Sequence, residues 1–188
     1  MPGEVMVFYS DDEGNTWKRS KNVLYPPDTK ESQGLQEPGV VEIKKNKILM
    51  WMRTSYGYQY YSISEDDGET WTLTVPSPLI SPLSPASVKK IPGSSNLLAV
   101  YNDHSGIKNS LKGSPYQGRT PLVTRISGDA GKRWENPFVV EDNPEGRFCY
   151  TSILFLNDKV ILSYSANSSE RAWGLMRVTT LHREEIYG

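Results

Sequence analysis

Apolar residues along this chain come in short runs broken by Gly, Pro, Asn, Asp and Ser, and no apolar repeat of helical period persists over a helical length. The pattern predicts an all-β protein. Strands are expected in four groups. Glu4–Ser10 and Trp17–Leu24 form the first, and Val40–Ile43, Ile48–Arg53, Tyr58–Ser64 and Trp71–Val75 the second. Ala86–Ile91, Leu97–Asn102, Pro121–Ser127 and Phe138–Glu141 form the third, followed by Tyr150–Leu156, Val160–Tyr164 and Leu175–Leu181. The run Ile48-Leu49-Met50-Trp51-Met52 is apolar at alternate and intervening positions alike, as expected of a strand covered on both faces.

Between the third and fourth strands of a group, one segment repeats. Ser10-Asp11-Asp12-Glu13-Gly14-Asn15-Thr16-Trp17 aligns with Ser64-Glu65-Asp66-Asp67-Gly68-Glu69-Thr70-Trp71 and with Ser127-Gly128-Asp129-Ala130-Gly131-Lys132-Arg133-Trp134. All three read Ser-x-Asp-x-Gly-x-(Thr/Arg)-Trp, and they take up three of the five tryptophans, which argues against chance. Each is expected to be a hairpin tip. Its Asp accepts backbone amide hydrogen bonds, its Gly takes positive φ, and its Trp closes the turn against a core. The segments start 54 and 63 residues apart, slightly more than the roughly 40 to 50 residues of a four-stranded propeller blade. Groups of two, four, four and three strands leave a β-propeller unclosed. A stack of repeats cannot bury its end faces alone, so residues 1–188 are expected to be a partial propeller, of about three to four blades, that self-associates or is completed by blades missing from its N-terminal side.

Composition narrows the function classes. With 21 basic and 22 acidic residues the net charge is −1, and no basic run offers a footprint for nucleic acid. No stretch approaches the roughly 18 apolar residues of a membrane span. One cysteine, Cys149, allows no internal disulfide and no Cys-based zinc site, and His104 and His182 are too few for a His-rich metal site. No metal, cofactor or catalytic role for Cys149 is expected. Met1-Pro2-Gly3-Glu4-Val5 lacks the features of a secretory signal, which leaves the compartment open between secreted, periplasmic and other locations.

The repeated segments resemble the Asp boxes of sialidases (neuraminidases) and their bacterial-neuraminidase-repeat relatives, which are six-bladed propellers. Other stretches resemble that family as well. Gln36-Glu37-Pro38-Gly39-Val40-Val41-Glu42, followed by Leu49-Met50-Trp51-Met52-Arg53, is similar to the segment in which a Glu opens a blade and an Arg closes its second strand. Gly118-Arg119-Thr120-Pro121-Leu122 resembles the segment supplying a further Arg of the family's three-arginine cluster. Phe148-Cys149-Tyr150-Thr151-Ser152-Ile153-Leu154 resembles the segment with the nucleophilic Tyr. The resemblance implies an exo-glycosidase that removes terminal sialic acid or a related acidic sugar, with Tyr150 as nucleophile, Glu37 as its base, and Arg53 and Arg119 as a clamp for the substrate carboxylate. It also marks departures. The family's first cluster Arg and its acid/base Asp have no match here, so this chain alone carries an incomplete catalytic set. Leu162-Ser163-Tyr164-Ser165 stands where the family usually has a Glu that supports an Arg.

The strand positions make an independent check. In an up-and-down blade the turn between the third and fourth strands lies at one end, so Glu37, Arg53, Arg119 and Tyr150 all fall at the end opposite the boxes. These residue types suit an acidic sugar. Arg binds a carboxylate through paired charge-assisted hydrogen bonds, and a phenol, neutral until deprotonated, is not repelled by that carboxylate as an acidic nucleophile would be. Asn102, Asp103 and His104 end a second strand on the same side, next to the long Ser105–Gly118 loop, and are candidate sugar contacts. Tyr58, with Tyr56, is a candidate platform for a sugar face. Plainer readings stand beside these: exposed ion pairs for the arginines, a rim aromatic for Tyr150, a loop cap for Asn102–His104 and sheet pairing for Tyr58. At the level of the protein, the alternative is a non-catalytic propeller that binds a glycan or another protein.

Overall fold

The structure, a computed structural model, describes residues 2–27, 33–106, 118–167 and 174–187. It contains four antiparallel sheets that follow one another along the chain. The first pairs β1 (Phe8–Tyr9) with β2 (Lys18–Arg19). The second holds β3 (Gln36–Lys44), β4 (Lys47–Arg53), β5 (Tyr58–Ser64) and β6 (Val75–Ile80). The third holds β7 (Ser87–Lys90), β8 (Leu97–Asn102), β9 (Leu122–Ser127) and β10 (Glu135–Glu141), and the fourth β11 (Arg147–Leu156), β12 (Lys159–Asn167) and β13 (Met176–His182). Within each sheet the strands lie side by side in chain order. The expected grouping of two, four, four and three is therefore present.

Strand alternation builds the contacts between sheets. From β4, Leu49 and Trp51 face the third sheet and pack with Val88, Leu97, Ala99 and Tyr101, while Met50 and Met52 face the other way, toward Val5, Leu24 and Leu35. From β8, Leu98 and Val100 face the fourth sheet and join Phe148, Ile153, Leu162 and Tyr164. A period of two thus serves two cores at once, and each middle sheet is buried on both sides. The innermost strands β7 and β11 form no ladder with each other. Side chains join them instead: the Ser87 hydroxyl donates to the Thr151 carbonyl, and Lys89 Nζ donates to the Ile153 carbonyl at 2.8 Å.

Several boundaries differ from expectation. The fourth strand of the second sheet is Val75–Ile80 rather than Trp71–Val75. Pro76 and Pro78 argue against a strand there, but β6 pairs only with β5, and an edge strand tolerates the missing amides. In the first sheet only two residues per strand pair, with a further isolated bridge between Val5 and Leu24. A short helix, α1 (Arg183–Tyr187), was not expected; it buries Ile186 in the core shared by the third and fourth sheets.

The repeated boxes are hairpin tips as expected. In each, the carboxylate accepts the amide four residues on, Thr16, Thr70 or Arg133, at 2.8 Å, and the Ser hydroxyl accepts the Gly amide at 2.8 Å. The second carboxylate oxygen takes the Thr hydroxyl in the first two boxes, and Arg133 Nε in the third. Trp71 and Trp134 are 7% and 8% exposed, each packed toward the preceding sheet. Trp17 is 64% exposed, because no described residue packs on that side of the first sheet. On the far side of the fourth sheet, Leu154, Leu156, Met176 and Val178 are likewise exposed.

Hydrogen bonds from the Thr16 hydroxyl and amide hold the Asp12 carboxyl down at about 2, and Arg133 does the same for Asp129. A carboxyl lowered in the folded state adds stability that is complete above its unfolded value, near 3.8, and is lost as pH falls through about 2. The urea midpoint is therefore expected to fall between pH 4 and pH 2. Asp12→Asn combined with Asp129→Asn should flatten that fall; the same slope in both proteins would show that the boxes do not set it.

Candidate active site

Two first strands share an irregularity. In β3 the register moves between the pairs Gln36–Arg53 and Gly39–Trp51, and in β11 between Cys149–Ser165 and Ser152–Ser163, so each strand carries a β-bulge. Within the bulges Glu37 has φ of 47° and Tyr150 has φ of 56°. The left-handed region costs an L-residue roughly 1–2 kcal/mol. Neither residue is a Gly or Asn, so both bulges hold a large polar side chain at the expense of backbone strain. The result is an aimed side chain: Tyr150, which is 49% exposed, donates its hydroxyl to Glu37 Oε1 at 2.9 Å across two sheets.

The arginines close around this pair. Arg53 ends β4, is buried, and donates from Nη1 to Glu37 Oε2 at 2.9 Å. Glu37 thus holds a phenol on one oxygen and a guanidinium on the other. Arg119 precedes β9, and its carbonyl accepts the Phe148 amide at 2.8 Å, which ties it to the start of β11. Its guanidinium carbon lies 5.6 Å from the centroid of the Tyr150 ring, within the range of a cation–π contact. Its Nη1 donates to Cys149 Sγ at 2.8 Å. Arg119 is only 4% exposed, its Nε has no hydrogen-bond partner, and no carboxylate of the described residues pairs with it. Glu37 and Tyr150 also border a cleft of about 320 Å³, whose other walls include Trp51, Pro85, Ser87 and Thr151.

The remaining sequence candidates are placed differently. The Asn102 amide accepts from the Ser84 hydroxyl at 2.6 Å and donates to the Pro121 carbonyl at 3.2 Å. Asp103 pairs with Arg125 at 2.8 Å and accepts the Ser105 amide. Burial pushes the Asp103 carboxyl up, but the Ser105 and Arg125 hydrogen bonds outweigh it and hold the group below its usual range. His104 Nε2 donates to the Gly118 carbonyl at 2.7 Å. All three are buried; the Asn102 and His104 side chains bond carbonyls on either side of Arg119 and brace its backbone, while the Asp103 side chain is taken up by Arg125 and Ser105 and only its amide donates to the Pro121 carbonyl, at 3.3 Å. Tyr58 is exposed at the start of β5 and makes no hydrogen bond or ring contact with Tyr150 or Glu37. Of the loop after His104, residues 107–117 lie outside the described residues. Cys149, given no role from sequence, stands against Arg119; Phe148 beside it is buried too, so the alternation of β11 gave no signal that would single it out.

The bulge predicts an inverted order of side-chain tolerance. At an ordinary strand position Val outranks Ala and Ala outranks Gly. At position 150 the left-handed φ should make Tyr150→Gly about 1 kcal/mol more stable than Tyr150→Ala, with Tyr150→Val least stable. Urea unfolding of the three variants checks this; the ordinary order would show that the strand is not bulged there.

The family model for the BNR repeat-like domain matches residues 3–173. No curated protein matches the chain. Among solved structures, the NanB sialidase of Streptococcus pneumoniae superimposes with a TM-score of 0.71 at 21% identity, over 98% of this chain and 28% of that one. The intramolecular trans-sialidase of Ruminococcus gnavus, in complex with oseltamivir carboxylate, gives 0.68 at 22% identity, over 95% and 38%. Trypanosoma rangeli sialidase, in complex with 2,3-difluorosialic acid as a covalent intermediate, gives 0.63 at 20%, over 98% and 28%. The chain spans well under half the length of each, and at such identity the likeness is one of fold. Four successive antiparallel sheets, three repeated hairpin tips and a family match over most of its length make this chain a member of the BNR repeat-like family, with the fold of a sialidase β-propeller.

Proposed function

We propose that this chain supplies the nucleophile side of a sialidase-like glycoside hydrolase acting on terminal sialic acid or a related acidic sugar. The observation that carries the reading is the Tyr150–Glu37 hydrogen bond, 2.9 Å, with Arg53 on the second carboxylate oxygen. Glu37 accepts the phenol proton as the Tyr150 oxygen bonds to the anomeric carbon and the glycosidic C–O bond breaks. Water then attacks that carbon and gives up a proton to the same outside group that had protonated the leaving group, the Tyr150–carbon bond breaks, and Glu37 returns the phenol proton to the phenolate. Glycosidases with a Tyr nucleophile are a known exception to the two-carboxylate pattern. Arg53 orients Glu37 by holding its second oxygen.

Arg119 contributes the preference for acid. A guanidinium buried without a carboxylate is costly unless an anion reaches it, and a sugar carboxylate beside the anomeric carbon is such an anion. Asn102, Asp103 and His104 enter this proposal through the backbone they hold, and Tyr58 as an exposed ring for a sugar face. The family's acid/base Asp and first cluster Arg have no match among these residues. The leaving group's proton therefore comes from outside the matched set, and the complete reaction belongs to a protein that carries those groups as well.

A substrate with a fluoride leaving group needs no such proton donor, so 2,3-difluorosialic acid tests the nucleophile by itself. Mass spectrometry should find a covalent adduct on the Tyr150 peptide, absent in Tyr150→Phe and slowed about 100-fold or more in Glu37→Gln. Reagent that binds without ever modifying Tyr150 would overturn the nucleophile assignment. Calorimetry with sialic acid and its methyl ester tests the recognition: the acid should bind more tightly, by roughly tenfold or more for a charge-assisted pair, and Arg119→Lys should reduce the difference. Equal affinity for acid and ester would leave a generic glycan-binding propeller as the better reading.

A further inference from the structure

We infer that Cys149 is a positioning residue for acid recognition: its sulfur holds the Arg119 guanidinium in place with a neutral acceptor, so that the charge of Arg119 stays free for the ligand. The inference rests on the proposed carboxylate recognition and goes beyond it by assigning the group that keeps the site open. Two arginines stand at the site, and their surroundings differ. Arg53 has Glu37 at 2.9 Å, so its charge is already matched within the protein. Arg119 has Cys149 Sγ at 2.8 Å on Nη1 and the Tyr150 ring at 5.6 Å, with no carboxylate of the described residues beside it; the Nε of both arginines is buried without a partner.

Some acceptor is needed there. A long side chain that binds by geometry must be fixed before the ligand arrives, or the ligand must order it at a cost in affinity. A carboxylate would fix Arg119 firmly, but it would also neutralise it and occupy the donors that a ligand carboxylate requires. A thiol accepts an N–H while adding no charge. Cys149 is 2% exposed, and burial pushes its thiol up against the opposing pull of Arg119, so it stays protonated near neutral pH. The same strand delivers both parts of the arrangement. Cys149 is the last residue in register with Ser165 before the bulge, facing inward, and the bulge then turns Tyr150 outward over Arg119. Arg119 therefore lies between the sulfur and the ring of the proposed nucleophile.

The test uses the ratio of affinities for sialic acid and its methyl ester, measured by calorimetry on the full chain, with thermal unfolding as a control. Wild type should prefer the acid. Cys149→Val keeps an apolar side chain of similar size but has no acceptor, and should cut that preference by roughly tenfold, the value of one hydrogen bond to a charged group. Cys149→Ser, which again offers a neutral acceptor, should restore most of it. Cys149→Asp places a carboxylate against Arg119 and should abolish it, so that acid and ester bind alike. A packing role for Cys149 would change stability without moving the ratio. Should wild type show no acid preference, the recognition reading itself fails. Should wild type prefer the acid while Cys149→Val and Cys149→Asp keep the same ratio, recognition stands and the role of Cys149 is overturned; the Val and Ser variants decide this even if the Asp variant does not fold.

Discussion

The constraint on which the rest depends is that the middle sheets have no solvent face. Leu49 and Trp51 serve one core while Met50 and Met52 serve another, and Leu98 and Val100 stand back to back with Leu97, Ala99 and Tyr101 in the same way. A sheet buried on both sides must be covered by a sheet on each side, so the chain stacks its hairpins radially instead of folding two of them into a closed sandwich. That arrangement brings the first strands of successive sheets together at one edge. It also makes the ends of those strands a common meeting point for residues far apart in sequence, such as Glu37 and Tyr150.

The chemistry at that meeting point needs side chains to leave the regular pleat. An unbroken strand would send residue 150 to one face of its sheet or the other, into the core shared with the third sheet or onto the exposed far face. A bulge with a left-handed residue turns it along the strand end instead. That Glu37 and Tyr150 occupy equivalent bulges in two different blades means that one backbone device, used twice, presents the proposed base and the proposed nucleophile to each other.

Much of this was legible in the sequence. The Ser-x-Asp-x-Gly-x-(Thr/Arg)-Trp repeat fixes where hairpin tips fall, and with the apolar runs it fixes the grouping of strands. It follows that Glu37, Arg53, Arg119 and Tyr150 share one end. Three things were not legible. The edge strand β6 hides behind Pro76 and Pro78, since proline reads as a breaker until the strand is known to have a free side. The positive φ of Glu37 and Tyr150 has no marker where the residue is neither Gly nor Asn. The inward roles of Asn102, Asp103 and His104 depend on which carbonyls, or for Asp103 which donors, come near them after folding, and residue type alone does not tell a buried brace from an exposed ligand contact.

Side-chain bridging between β7 and β11 carries its own consequence. Within a sheet, cohesion resides in the main chain and is indifferent to residue identity. Between these two sheets near the axis, it resides in Ser87, Lys89 and the apolar contacts behind them. Main-chain cohesion depends little on which residues are present, whereas the polar part of this joint hangs on two side chains and the rest on the apolar core behind them. The joint between the third and fourth blades is thus a seam whose strength is set by residue identity, so that substitutions at Ser87 and Lys89 would tune how firmly one blade holds the next while leaving the ladder inside each blade intact.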